Sequence, residues 1–376
     1  MGRIPLLLSA GEASGDMYAA RLARALQERA DVEVFGMGGP HMRAAGVEIV
    51  TDYAEVSVVG ITEIVTHLPS LLKAMDRLVT EAERRKPALA ILTDFPGFHL
   101  RLARKLKPRG IRNVYYICPQ FWAWRPWRAN LVQRRFVRAL CIFPFEEEFF
   151  REAGVSTQFI GHPLVGCVAP TKDRRQFCEE NQLDASRPVV AVLPGSRTGE
   201  LAHHLPVLRE ACRQINSKLP TQFVMAAAHE QDVSALKEGW APGLTVRVVA
   251  GETYNALAAS NAAIVSSGTA TVEAALLDVP MVVVYRVSPL TAILAKPLVR
   301  TKYFAMVNLI ADKRAVPELV QGDFTPERVT DEVMRLLKDS NAREAMRRDL
   351  AEVRRRLGPP GAVERAADAI AGLIQR

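Results

Sequence analysis

Cysteine is scarce and scattered: five in 376 residues (Cys118, Cys141, Cys167, Cys178, Cys212), with no C-x-x-C pair and no His/Cys cluster. A disulfide framework and a structural zinc site are therefore not expected, and a reducing, cytoplasmic compartment fits best. No window approaches the roughly 18 apolar residues of a spanning helix. The run Ile4–Ala10 is cut short by Glu12, so it reads as a first buried strand and not as a signal peptide. No G-x-G-x-x-G follows that strand, and neither a G-x-x-x-x-G-K-S/T loop nor a G-x-S-x-G elbow occurs. These absences weigh against a nicotinamide dehydrogenase, a P-loop NTPase and a serine hydrolase. No Asp-x-Asp pair is present to hold a divalent ion on a sugar diphosphate, so no metal and no cofactor are expected. The pairs His203-His204 and His229-Glu230 lack the i, i+4 partner of a zinc helix and are expected to be solvated.

What is present is an ordinary globular composition, 49% apolar and 24% charged, with no internal repeat. Lys+Arg of 49 against Asp+Glu of 41 leaves +8, which suits an anionic partner: nucleic acid, nucleotide or acidic membrane surface. Short apolar runs alternate with amphipathic stretches in two series. Strands are expected at Ile4–Ser9, Val32–Phe35, Ala88–Thr93, Asn113–Ile117 and Ala139–Phe143. The second series is Val189–Leu193, Gln222–Ala226, Thr245–Val249, Ala262–Val265 and Met281–Tyr285. Unbroken apolar strands between helices imply parallel sheets covered on both faces. The polar, turn-forming stretch Gly161–Asp173 separates the series.

The expected architecture is α/β, two Rossmann-like halves facing a cleft. Its boundaries are 1–165, 166–340 and a helical tail 341–376 that returns to the first domain or swaps to a partner. Thr325-Pro326-Glu327 reads as a helix start, and Asn341 with Glu344 as a second cap. Past the Gly358–Gly361 break, Val363, Ala366, Ala367, Ile370, Leu373 and Ile374 fall on one helical face that must dock on something.

Five stretches carry candidate chemistry. Gly11-Glu12-Ala13-Ser14-Gly15-Asp16 follows the first strand, where a parallel sheet binds ligands. Ser14 or Asp16 doubles there as a helix N-cap. In Asp94-Phe95-Pro96-Gly97-Phe98-His99, Asp94 or His99 is placed to take a proton from an alcohol, with the two phenylalanines shaping a pocket. Trp122-Ala123-Trp124-Arg125-Pro126-Trp127-Arg128 gathers three of four tryptophans with two arginines, suiting bases or an acyl chain beside a phosphate. Gly195-Ser196-Arg197-Thr198-Gly199-Glu200 joins helix N-terminal N–H groups, a hydroxyl and a guanidinium into a diphosphate cradle. Ser267-Gly268-Thr269-Ala270-Thr271-Val272-Glu273 repeats that strand–loop–helix arrangement, with Glu273 placed to accept ribose hydroxyls.

These stretches, together with Asn308-Leu309-Ile310, resemble the lipid-A-disaccharide synthase family, in order from about Leu6 to about Gln321. The resemblance implies a metal-independent, inverting GT-B glycosyltransferase. Its substrates are UDP-2,3-diacylglucosamine and 2,3-diacylglucosamine 1-phosphate; its products are a β-1,6 disaccharide and UDP. It implies work at the inner face of the inner membrane of lipopolysaccharide-making bacteria, without nucleic acid. The family's UDP site falls on Gly195, Ser196, Arg197, Glu200, Gly268, Thr269 and Glu273, and its catalytic aspartate region on Asp94. Some relatives carry a second aspartate where this chain has Gly97; Glu12, Asp16 and His99 are the other candidates for the base. Further expected substrate contacts are Ser14, Gly15, Trp124, Arg125, Ser267, Ala270, Thr271 and Asn308. The apolar stretch Val58–Leu72 and the arginines 125, 128, 134, 135 and 138 suit an anionic membrane surface. A homodimer through the terminal helices is also expected. The rivals are another UDP-sugar enzyme of this architecture, such as an undecaprenyl-linked sugar transferase or a UDP-N-acetylglucosamine 2-epimerase, and a basic RNA- or lipid-binding module.

Overall fold

The computed structural model describes residues 2–56, 64–228, 230–288 and 301–374. Within the Val58–Leu72 stretch, residues 57–63 lie outside the described residues, and so does His229. Two compact units form: Met1–Pro163 with Leu357–Arg376, and Leu164–Arg356.

The first unit carries a parallel sheet of seven strands: β1 (Ile4–Ala10), β2 (Val32–Gly38), β3 (Glu48–Asp52), β4 (Leu89–Thr93), β5 (Arg112–Tyr116), β6 (Arg138–Cys141) and β7 (Thr157–Phe159). Their order is β3-β2-β1-β4-β5-β6-β7. The second carries β8 (Val189–Leu193), β9 (Gln222–Ala227), β10 (Val246–Ala250), β11 (Ala262–Ser266), β12 (Met281–Tyr285) and β13 (Glu318–Val320), in the order β10-β9-β8-β11-β12-β13. Strands β4, β8, β9 and β11 are buried along their whole length, as helix-covered parallel strands must be. The strand order reverses direction beside β1 in the first unit and beside β8 in the second. Loops at those reversals diverge to opposite faces and leave room for a ligand.

The helix Ile64–Arg85 contains Pro69 and buries Ala74, Met75, Leu78, Val79 and Ala82 while leaving Leu72 exposed. No helix among the described residues is long and apolar enough to cross a membrane. The tail departs from expectation in one respect. The helix Ser340–Arg356 stays with the second unit, where Met346, Leu350 and Val353 are buried and Arg354 pairs with Asp278 at 2.8 Å. Its N-cap is Asp339, whose carboxylate accepts from the Ala342 N–H at 3.1 Å, so Asn341 lies inside the helix. Thr325 caps the helix Pro326–Lys338, accepting from the Arg328 N–H. The return to the first unit begins at Leu357, whose carbonyl accepts from the His162 N–H at 2.9 Å.

The terminal helix Ala362–Ile374 packs on the helix Ala13–Gln27 of its own chain, burying Val363, Ala366, Ala367 and Ile370. Arg29 pairs with Asp368 at 2.6 Å, and Arg112 donates to the Leu373 carbonyl at 2.7 Å. Ile370 is fully buried there. Ile370→Ala is expected to destabilise the first unit by about 2–5 kcal/mol. Chemical unfolding followed by fluorescence of Trp122, Trp124 and Trp127 checks this, and an unchanged midpoint would show that the docked helix contributes nothing.

Candidate active site

In the first unit the loops after β1 and β4 lie side by side, because Ala10 pairs with Thr93. Asp94 and Phe95 leave β4 with φ of 49° and 44°, two consecutive non-glycine residues in the left-handed region. Each such residue costs about 1–3 kcal/mol. The Asp94 carbonyl meets that cost by accepting from the Tyr115 hydroxyl at 3.0 Å and from His99 Nδ1 at 2.8 Å. A carbonyl can only accept, so Nδ1 carries the proton and Nε2 accepts from the Ser9 hydroxyl at 2.8 Å. Gly11 admits the corner from the other side, since a Cβ there would sit inside the Phe95 ring.

This geometry redistributes the candidate bases. His99 is fully buried with both nitrogens engaged, and burial pulls its pKa down to about 4. It is a brace for Asp94, not a free base. Asp16 is fully buried as well. Its carboxylate accepts from the N–H groups of Gly39 (2.6 Å), His41 (2.9 Å) and Met42 (3.2 Å), capping the helix Pro40–Ala44. Neither Asp16 nor Ser14 caps the helix Ala13–Gln27; Glu12 holds that position without a side-chain bond, and Ser14 and Glu12 are exposed. Gly15 is buried, with β-carbon room bounded by Ala10 and Thr93. Asp94 itself is half-buried, and desolvation, aided by the Glu12 charge, raises its pKa to about 6. A carboxyl so poised is ionised near neutrality yet basic enough to accept a proton.

The tryptophan loop follows β5. Phe121 is buried, Trp124 and Trp127 are exposed, and the Arg125 guanidinium lies 4.4 Å above the Trp124 ring. Trp122 Nε1 donates to Glu146 at 3.1 Å, and the other Glu146 oxygen accepts from the N–H groups of Ile142 and Phe143. Glu146 is fully buried and desolvation raises its pKa to about 8.

In the second unit β8 ends at Pro194-Gly195-Ser196-Arg197, ahead of the helix Thr198–Lys218. Gly195 has φ 117°, and a Cβ would meet Glu200 Oε2 at 2.5 Å. Glu200 reaches back beneath the turn to accept from the Ser196 N–H at 3.2 Å and to meet Arg197 Nη1 at 3.4 Å. Its carboxylate organises the turn, while the Arg197 side chain stays 71% exposed. Beside it, Gly268 and Thr269 are exposed and Ala270 half-buried at the start of the helix Thr269–Leu276. Glu273 accepts from the Tyr254 hydroxyl, and burial raises its pKa.

Three residues expected to touch substrate are committed elsewhere. Thr271 is fully buried and its hydroxyl donates to the Gly268 carbonyl at 2.8 Å. Ser267 donates to the Phe304 carbonyl at 2.9 Å. Asn308, fully buried, donates to the Val316 carbonyl (2.9 Å) and Glu318 (2.8 Å) and accepts from the Val316 N–H. His204 also departs from its expected solvation. It is fully buried on the helix Thr198–Lys218, with Nδ1 donating to the Pro194 carbonyl at 2.7 Å and Nε2 accepting from the Arg286 N–H at 2.9 Å. A histidine bridging a strand end to a neighbouring loop leaves no sequence pattern that separates it from a surface one.

The model of the lipid-A-disaccharide synthetase family matches residues 6–371. The lipid-A-disaccharide synthase of Solibacter usitatus is 45% identical over 374 residues, covering 98% of this chain and 97% of that protein. That of Myxococcus xanthus is 43% identical with the same coverage. Among solved structures, MurG of Acinetobacter baumannii superposes with TM-score 0.63 at 17% identity over 98% of this chain and 99% of its own. A UDP-GlcNAc 2-epimerase from Neisseria meningitidis superposes with TM-score 0.66 at 11% identity, over 98% and 100%. At such identities the structures share a fold; the family match sets the epimerase and RNA-binding alternatives aside. The chain has the GT-B fold and belongs to the lipid-A-disaccharide synthetase family of glycosyltransferases.

Proposed function

We propose that the chain transfers the diacylglucosaminyl group of UDP-2,3-diacylglucosamine to the 6-hydroxyl of 2,3-diacylglucosamine 1-phosphate, releasing UDP. The observation that carries this reading is the open Arg197 guanidinium at a strand–turn–helix junction whose turn is locked from behind by Glu200. The second unit, in this reading, holds the donor. Arg197 and the N–H groups opening the helices Thr198–Lys218 and Thr269–Leu276 meet the charge that develops on departing UDP. Glu273 faces the ribose.

The first unit holds the acceptor. The Asp94 carboxylate takes the proton of the 6-hydroxyl, its oxygen attacks the anomeric carbon from the face opposite UDP, and the bond to the diphosphate breaks with inversion. Glu12 tunes Asp94 through its charge, and Gly15 keeps the neighbouring loop close. Exposed Leu72, Trp124 and Trp127 support a peripheral seat on the anionic inner face of the inner membrane. A homodimer through the terminal helices would exchange the helix Ala362–Ile374 for a partner's copy, because its apolar stripe is already covered within the chain.

Arg197→Ala is expected to weaken UDP binding about tenfold or more (1.4 kcal/mol), and Arg197→Lys to restore only part, since the two-pronged fork is lost. Calorimetry with UDP reads both; unchanged affinity sinks the assignment. Turnover is expected to survive excess EDTA, and a loss restored specifically by magnesium would overturn the metal-free reading.

Asp94→Asn should cut turnover by ~10²–10⁴ while UDP still binds. A base must be deprotonated, so kcat/KM of the native chain should fall as pH drops through about 6. Removing the neighbouring negative charge lowers that pKa, and Glu12→Gln should move the acid limb to lower pH. An acid limb that Asp94→Asn leaves in place, or that Glu12→Gln moves upward, contradicts the assignment.

A further inference from the structure

A groove of about 240 Å³ opens on the first unit directly after the Asp94 corner, beginning at Pro96 and Gly97. One wall is the face of the helix Pro96–Leu106 that carries Leu100, Arg101 and Arg104 at helical spacing. The other is the turn and helix that carry Trp127, Arg128, Leu131 and Arg135. Four guanidiniums thus border one small space. None of the four forms an ion pair among the described residues, whereas Lys105 and Arg109, close in sequence, bind Asp76 at 2.8 Å and Glu83 at 2.5 Å.

Their existing partners are neutral. Arg101 donates to the Gly97 carbonyl at 3.3 Å and Arg135 to the Leu100 carbonyl at 2.8 Å. Arg128 lies over the rings of Phe121, Trp124 and Trp127, and its buried Nε has no hydrogen-bond partner. Desolvation and the charges of Arg125 and Arg101 lower the Arg128 pKa; desolvation and those of Arg104 and Arg134 lower that of Arg135. A cluster of like charges without a counter-ion is relieved by an anion, and guanidiniums bind phosphate two-pronged. Trp127, 59% exposed, and the two leucines give the same groove an apolar lining.

We infer that this groove holds the phosphate monoester of the lipid acceptor, with Trp127 and the leucines covering the adjoining hydrocarbon. The inference rests on the acceptor reading above. It makes Arg101 and Arg104 specificity residues for a phosphorylated acceptor, separate from the diphosphate site of the second unit.

Arg101 and Arg104 are exposed, so the double variant Arg101→Gln/Arg104→Gln should fold. Turnover in neutral detergent micelles is compared for the acceptor with and without its 1-phosphate. The variant should raise the KM for the phosphorylated acceptor at least tenfold, leave that for the dephosphorylated one unchanged, and bind UDP as the native chain does. An unchanged KM, or an equal rise for both acceptors, overturns the inference. So does a variant that loses binding to phosphatidylglycerol vesicles with its micellar KM intact, because the groove is then a membrane contact. Titration with monomeric dodecyl phosphate separates this inference from the reading it rests on. If the native chain makes no disaccharide but binds that probe at least tenfold tighter than the variant, the phosphate site stands and the assigned reaction falls. Equal binding of the probe by both chains overturns the site.

Discussion

The Asp94 carbonyl, accepting from Tyr115 at 3.0 Å and from His99 at 2.8 Å, holds the chain in two successive left-handed residues. Those two bonds, with the Asp94 N–H donating to the Tyr116 carbonyl at 3.3 Å and the His99 N–H to the Phe95 carbonyl at 3.0 Å, offset the backbone cost of the turn. The turn aims the Asp94 carboxyl out of the sheet into a half-buried position, and it starts the helix Pro96–Leu106 that walls the arginine groove. Each brace is itself fixed: His99 by Ser9 on β1, Tyr115 by its place on β5 and its stack on Phe136 at 4.6 Å. Three adjacent strands therefore determine where one carboxylate sits.

The second unit uses the same division of labour with different chemistry. Arg197, Gly268 and Thr269 present groups outward, and behind them buried or half-buried side chains hold the loops. Glu200 locks the Gly195–Arg197 turn, and His204 ties Pro194 to Arg286. Asn308 and Glu318 organise the segment whose Phe304 carbonyl receives Ser267. Preorganised donors stabilise developing charge without reorganising during reaction. Such rigidity is what a diphosphate site needs if side chains and N–H groups carry the whole task.

Ten of the thirteen strands were legible as apolar runs: nine are central parallel strands packed between neighbours, and the tenth, β10, is a valine-rich edge strand. The three that were not, β3, β7 and β13, are all at sheet edges, where one side of the strand meets solvent and the apolar run is broken. The loops at the strand ends were legible for a similar reason, since turn residues and helix starts leave local patterns. What stayed illegible is the direction in which a polar side chain is spent. Asp16, Asn308 and His204 have the donors and acceptors that a ligand would want, and each uses them on backbone 8 to 82 residues away. Composition cannot separate these outcomes, because hydrogen-bonding capacity is the same toward a phosphate, a sugar or a neighbouring loop.

The +8 surplus shows the same point through electrostatics. Along the outer helices several arginines pair with carboxylates one turn away, as in Arg213–Glu210, Arg347–Glu344 and Arg355–Glu352. Exposed pairs of that kind contribute little stability, so their value lies in cancelling charge where no ligand is wanted. At Arg197 the lone carboxylate partner serves the turn at 3.4 Å and leaves the side chain mostly in solvent. At Arg101, Arg104, Arg128 and Arg135 there is no carboxylate partner among the described residues. The groove arginines and the mostly exposed Arg197 are thus positive groups open to an anion, as the proposed substrates require. The net charge suits an anionic ligand, and the groove or turn in which an arginine sits decides whether it is placed to meet one.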